Sequence, residues 1–200
     1  NFKFWKDPTK PRVPIIEHAD VRRMLMDQKA HVEGIRALVV KLASHVDKSR
    51  QFAGTDDEKA AYHHGQVELL TPLVKSYSSD EAFRLCAVAI QVFGGAGFLK
   101  DHPVEQYCRD AKIFSIYEGT NHIQAMDLVG RKMGQNGGAN FQQFMGDVSV
   151  FIETHRAHKV FGPEVETLAQ AQEAGMQSAM AILGWSRAAQ LHLTPPAGNR

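Results

Sequence analysis

Residues 20–50 read DVRRMLMDQKAHVEGIRALVVKLASHVDKSR. Val21, Leu25, Gln28, Val32, Ile35, Val39, Leu42 and Val46 follow one another at alternating steps of four and three. That spacing lays a single stripe along one face of a long helix, with Gln28 its one polar member. Asp20 stands where an N-cap would accept an amide hydrogen bond. Further on, Thr55-Asp-Asp-Glu58 and Ser78-Ser-Asp-Glu81 have the form of capping boxes, in which a hydroxyl and a carboxylate each take an orphan amide of a helix start. The first predicts a helix carrying Tyr62, Leu69, Leu70, Leu73, Val74 and Tyr77, kinked or interrupted by Pro72. The second predicts a helix through Ala82, Phe83, Leu85, Cys86, Val88, Ala89 and Val92, stopped by Gly94-Gly95. Helical patterns recur at about 121–133, 141–158 and 164–191, separated by Gly134, Gly137 and Gly138 and by a Gly162-Pro163 turn. No strand-like alternation and no internal repeat interrupts them. The fold class is therefore all-α, a bundle of long, antiparallel helices.

The composition is consistent with this. Two hundred residues with 44% hydrophobic and 22% charged side chains can build a core and argue against global disorder. Lys plus Arg is 23 against 22 for Asp plus Glu, a net charge of +1, so no overall positive field exists to draw nucleic acid or an anionic membrane. No apolar run approaches the roughly 20 residues of a spanning helix. Cys86 and Cys108 form neither a disulfide framework nor a CxxC pair, which favours a reduced, cytoplasmic setting. The opening NFKFWKDPTKPRVP has no leading Met and no apolar signal region, and reads as the middle of a longer chain. Residues 1–17, with Pro8, Pro11 and Pro14, read as an extended leading segment whose Phe2, Phe4 and Trp5 either dock on a neighbour or lie exposed.

Two stretches carry chemistry. In Gln91-Val-Phe-Gly-Gly-Ala-Gly-Phe98, adjacent glycines end a helix. The bland account is a helix stop. The functional one is backbone bare enough for a phosphate or a flat cofactor to approach. It is not a dinucleotide fingerprint of the Rossmann type, since no strand precedes it. In Arg109-Asp-Ala-Lys-Ile-Phe-Ser-Ile-Tyr-Glu-Gly-Thr120, Glu118 follows an apolar run. A carboxylate among apolar neighbours suits a general base near neutral pH. The alternative is a Glu favoured by the dipole at the start of the next helix.

The run QVFGGAGF followed by HPVEQYCRDAKIFSIYEGTNHIQ resembles the C-terminal domain signature of the acyl-CoA dehydrogenases: Gln-x-x-Gly-Gly-x-Gly-aromatic, Pro-Val-Glu, Arg-Asp-x-Lys and Tyr-Glu-Gly-Thr, in order over about forty residues. The flanking helices extend the likeness over most of 18–133. Residues 134–200 are similar to the helical extension of longer members, including the 3-methylmercaptopropionyl-CoA dehydrogenase-like group. The resemblance implies an up-and-down four-helix bundle with additional C-terminal helices, and a flavoenzyme that forms a 2,3-double bond in an acyl-CoA thioester. It assigns Glu118 as the base that removes the α-proton, and Tyr117 and Gly119 to the substrate. Thr120, Asn121 and His122 fall at positions that approach FAD, and Gln91, Gly94 and Gly95 at positions that contact it, commonly in a neighbouring subunit. It further implies a homo-oligomer, dimer or tetramer, and electron transfer to an electron-transfer flavoprotein. An acyl-CoA oxidase-like enzyme sharing the same base, or a non-enzymatic helical module, are the alternatives.

His122 stands where many relatives carry another residue, and Arg131 lies one residue later than in short-chain relatives, which favours a structural role. Arg109 and Asp110 read as a structural ion pair. His155 and His158 share a helix face but lack the third ligand of a metal site, His63-His64 reads as a solvated pair, and Met24, Met26, Met126, Met176 and Met180 read as core fillers. Cys108 has no neighbour that would make its thiol reactive.

Overall fold

The computed structural model describes residue 9 and residues 11–193, with side-chain surroundings as far as Trp185. Phe2, Phe4, Trp5 and Pro8 lie outside the described residues. Seven α-helices and no strand occur among them: α1 Ala19–Phe52, α2 Asp57–Phe93, α3 Gly95–Phe98, α4 Val104–Lys112, α5 Asn121–Asp127, α6 Ala139–His155 and α7 Gly162–Leu193. The all-α reading is thus met. The chain divides into two compact units, Asn1–Ala125 and Met126–Arg200.

In the first unit α1 and α2 form an antiparallel hairpin around a turn at 53–56. Ser49 Oγ donates to the Ala60 carbonyl and His45 faces His63. Farther from the turn, His31 approaches Glu81 and Asp27 meets Arg84. The residues of α1 that this seam covers are Met24, Gln28, His31, Ile35, Leu38, Leu42, His45 and Ser49, again at steps of four and three. The predicted stripe shares Gln28, Ile35 and Leu42 with it but is rotated to one side, so Val32 and Val39 end up exposed. The displacement has a physical cause. Of the four polar residues in the seam, His31, His45 and Ser49 each find a partner on α2, and apolar spacing alone passes over them.

Helix starts also differ from expectation. His18, not Asp20, is the N-cap of α1, in extended conformation and without a side-chain bond. Asp20 instead accepts from Arg23 Nε at 2.8 Å. At α2 the cap is Asp56, whose Oδ1 accepts the Lys59 amide at 3.1 Å, while the Thr55 hydroxyl donates back to the Phe52 carbonyl. The second capping box opens no helix. Residues 57–93 are one continuous α2 of 37 residues, with Pro72 buried inside it. Pro72 offers no amide to the turn before it, yet Leu69 and Leu70 on that turn are the most deeply buried large apolar residues, and their burial holds the helix together.

After α2 the chain turns at Gly94, φ 63, and retraces the helix. His102 lies against Phe93, ring centroids 5.2 Å apart, and the Lys112 ammonium sits 5.0 Å above the Phe83 ring. Arg109 pairs with Glu105 one turn earlier, not with Asp110. Of the five methionines read as core, Met24 is buried, while Met26, Met126, Met176 and Met180 are exposed. His63 is half-buried rather than solvated: its Nδ1 lies 2.9 Å from His45 Nδ1, so one proton is shared between them, and its ring stacks on Phe52.

The second unit opens with a π-helical turn at Leu128–Lys132, then a left-handed bend through Asn136, Gly137 and Gly138. There Arg131 Nε donates to Asp127 at 2.6 Å, a structural pairing. Helices α6 and α7 pair antiparallel. Gln172 Nε2 donates to the Met145 carbonyl at 2.7 Å and to Ser149 Oγ at 2.8 Å, over a core of Ile152, Val165 and Ala179. His155 ends α6 and His158 lies beyond it, and the His158 ring nitrogen accepts the amides of Val160 and Phe161. The two do not share a helix face.

Two outcomes follow from this packing. A Cβ at Gly97 would lie 2.7 Å from Phe93 Cβ and 2.8 Å from the Ile90 carbonyl, so Gly97→Ala should destabilise the chain by about 1–3 kcal/mol, read as a lowered thermal midpoint. The Arg84 hydrogen bond holds the Asp27 carboxyl below the usual carboxylate range. Stability from this pair is present above the unfolded carboxyl's value, near 4, and is lost as pH falls through the lower folded one. The urea midpoint should therefore decline on acidification from pH 6 to 3, and Asp27→Asn should flatten part of that decline.

Candidate active site

The chemistry-bearing residues gather between α4 and α5. Ile113–Ser115 tightens into a 3-10 turn, and the chain then passes through Glu118 at φ 53 and Gly119 at φ 84. Two successive left-handed residues, one of them a glutamate, cost about 1–2 kcal/mol at the non-glycine position and need external support. α2 supplies it. Lys75 Nζ donates to the Gly119 carbonyl at 2.7 Å and to Asn121 Oδ1 at 2.8 Å. Asn121 Nδ2 donates to Ser79 Oγ at 2.9 Å and to the Ser76 carbonyl at 3.2 Å. Ser79, buried, donates in turn to that same carbonyl at 3.0 Å. Thr120 opens α5, its Oγ1 accepting the Ile123 amide at 3.3 Å.

Beside this turn lies a cleft of about 380 Å³. Ile35, Ala82, Phe114 and Tyr117 give it apolar walls, and Lys75 and Glu118 stand among them. Glu118 is itself exposed, with Tyr117 and Phe114 also open to solvent. The apolar surroundings that the sequence suggests for this carboxylate are not furnished by the described residues of this chain.

Tyr117, Glu118, Gly119, Thr120 and Asn121 are thus brought together, and His122 is exposed on the first turn of α5. Asn121 is turned inward, its amide engaged with α2. Gln91, Gly94 and Gly95 lie elsewhere, at and just past the C-terminal end of α2, with Gln91 about 24 Å along the axis from Lys75 at about 1.5 Å per residue. All three are exposed, and a Cβ at Gly94 or Gly95 would meet nothing within 4 Å. Phe93 and Phe98 beside them are exposed as well. Gly97, by contrast, is consumed by internal packing. The residues that sequence reasoning missed are Lys75 and Ser79. They belong to no motif of their own, and only the return of the chain along α2 brings them under Gly119 and Asn121. Among the described residues no cluster of three or more His, Cys, Asp or Glu could hold a metal ion.

A family model described as the acyl-CoA dehydrogenase C-terminal domain matches residues 2–133. The chain belongs to the acyl-CoA dehydrogenase family. It is 38% identical, over 94% of its length, to the broad-specificity linear acyl-CoA dehydrogenase FadE5 of Mycobacterium tuberculosis, covering 31% of that protein. It is 42% identical over 73% of its length to a butyryl-CoA dehydrogenase of Syntrophomonas wolfei, covering 24% of it. Against the 3-methylmercaptopropionyl-CoA dehydrogenase of Ruegeria pomeroyi the identity is 41% over 66% of the chain and 22% of that relative. The chain therefore spans a third or less of the curated family members it matches. A solved structure described as Bd2924 in its apo form shares the fold at a TM-score of 0.54 and 19% identity, over 86% of this chain and 35% of that one.

The turn of Tyr117, Glu118, Gly119 and Thr120 rests on Asn121. Replacing it by Ala removes two donated hydrogen bonds and one accepted from Lys75. Asn121→Ala should lower stability by about 1–3 kcal/mol, seen as a shift of the urea midpoint at constant slope. An unmoved midpoint would show that the turn is held by other means.

Proposed function

We propose that this chain supplies the catalytic base and part of the flavin site of an FAD-dependent acyl-CoA dehydrogenase that forms a 2,3-double bond in an acyl-CoA thioester. The observation that carries the reading is the Glu118 carboxylate, presented on a held left-handed turn at the mouth of an apolar cleft. The thioester carbonyl acidifies the α-carbon, the α C–H bond breaks, and Glu118 takes the proton. When bound, FAD supplies the acceptor for the hydrogen that leaves the β-carbon with its electron pair, and the carbon–carbon double bond closes. Gly119 lets the turn after the base run left-handed with Gln124 Nε2 packed against it, where a Cβ would come within 2.9 Å, and Tyr117 lines the acyl path.

The residues present fit a flat dinucleotide. Gly94 and Gly95 offer bare backbone with open space before it, flanked by exposed Phe93 and Phe98, and Gln91 adds an exposed amide side chain. Thr120 and His122 stand beside the base and would meet the reactive end of the cofactor. Because about 24 Å of helix separates the two sets, they suit either the two ends of one extended ligand or, as we favour, two ligands in an assembly of identical subunits. That assembly, electron transfer to an electron-transfer flavoprotein and a cytoplasmic location complete the proposal. The exposed Glu118 needs cover to act as a base near neutral pH, which further domains or a bound substrate would bring.

The test is Glu118→Gln in the full-length flavoprotein. This substitution keeps the side chain's size and removes the base. Reduction of the flavin by acyl-CoA under anaerobic conditions should slow by roughly 10²–10⁴-fold, while flavin content and acyl-CoA binding persist. Bleaching at the wild-type rate would assign the proton to another residue.

A further inference from the structure

We propose that Lys75 is a positioning residue for proton removal, fixing where the Glu118 carboxylate stands by gripping the turn from beneath. This rests on the reading of Glu118 as the base and adds a residue to it. The regular backbone hydrogen bonds of the segment stop at Tyr117, whose amide reaches Ile113, and resume at Gln124, whose amide reaches Thr120. Between them the chain holds two left-handed residues. The Glu118 carbonyl has a long 3.5 Å approach from Gln124 Nε2. The Gly119 carbonyl has the 2.7 Å bond from Lys75. A charge-assisted bond of that length is the strongest fixed point in the turn.

The second partner of Lys75, Asn121 Oδ1 at 2.8 Å, is also a neutral oxygen. A buried or half-buried lysine more often faces a carboxylate. Here its charge is devoted to two oxygens that flank Thr120, one on each side. The stem is rooted in α2 beside the buried Pro72 and one turn before the buried Ser79, which holds Asn121 from the other side. The base is thus referenced to the deeply packed part of α2 around Leu69 and Leu70, although its own side chain is exposed. A lysine can do this because its four-carbon stem reaches across and its ammonium carries three donors.

The test uses the full-length flavoprotein and an acyl-CoA with sulfur in place of its β-carbon. This probe has no β-hydrogen to lose, so incorporation of solvent deuterium at the α-carbon reads proton removal alone. Wild type, Glu118→Gln, Lys75→Met and Lys75→Arg are compared, with the KM for an oxidisable acyl-CoA and the flavin content measured on each. Misplacing a reacting group by about 1 Å costs on the order of 10²-fold. Lys75→Met should therefore lose about 10²-fold in exchange rate, with KM and flavin content within about two-fold of wild type. Lys75→Arg, which keeps the cation but moves its donors outward, should fall between Lys75→Met and wild type. It carries the test alone if Lys75→Met does not fold. Exchange at the wild-type rate in whichever Lys75 variant folds overturns the positioning role, as does a loss matched by an equal rise in KM. Loss of exchange in Glu118→Gln but not in the Lys75 variants leaves the base standing and removes Lys75. Undiminished exchange in Glu118→Gln removes both.

Discussion

The continuity of α2 through Pro72 is the constraint on which the first unit depends. Three successive pieces of chain read this one helix in order: α1 upward from the turn at 53–56, then α4 downward from Phe93, then the turn that carries Glu118. Each is placed by where its partners fall along the 37 residues. A break at Pro72 would uncouple the Glu118 turn from everything near the α1–α2 turn. The ring's missing amide is tolerated because its neighbours Leu69 and Leu70 are withdrawn from water, and the burial of two such side chains, at about 1.5–3 kcal/mol each, matches the roughly 3 kcal/mol or more a proline costs inside a helix.

The α1–α2 seam specifies its register with polar pairs more than with shape. Arg84 spans Asp27 on α1 and Glu81 on its own helix, and His31 completes that cluster. Nearer the turn, His45 meets His63 and Ser49 reaches Ala60. A slip of either helix by one turn would leave these groups facing apolar surface, which costs more than an apolar seam would lose from the same slip. An apolar stripe of Val and Leu, such as Val32 and Val39 begin to draw, would slide with less penalty.

This explains what could be read in advance. Helix existence and the positions of Gly94, the 134–138 bend and the Gly162 turn were legible, because glycine spacing and long apolar periods are local properties. The rotation of the α1 face was not, because His31, His45 and Ser49 count against burial until α2 is beside them. The capping boxes misled for a related reason. Ser78-Ser-Asp-Glu81 has the right residue types, but the helix was already running, so Glu81 took Arg84 and Ser79 took Asn121 instead of orphan amides. The Tyr-Glu-Gly-Thr turn was legible as a motif, while its anchor was hidden, since nothing about Lys75 in sequence points to a residue 44 positions on.

The left-handed backbone at Glu118 also limits what protein engineering can place there. At φ 53 a β-branched residue is excluded and most others are strained. Asn and Asp tolerate this region well, so aspartate is the acid the backbone accepts most readily, yet it is one methylene shorter and would withdraw the carboxylate from its present reach. Glycine at 118 would relieve the strain altogether. An acid presented at this turn is thus tied to a strained backbone, and relaxing the turn with glycine removes the acid together with the strain.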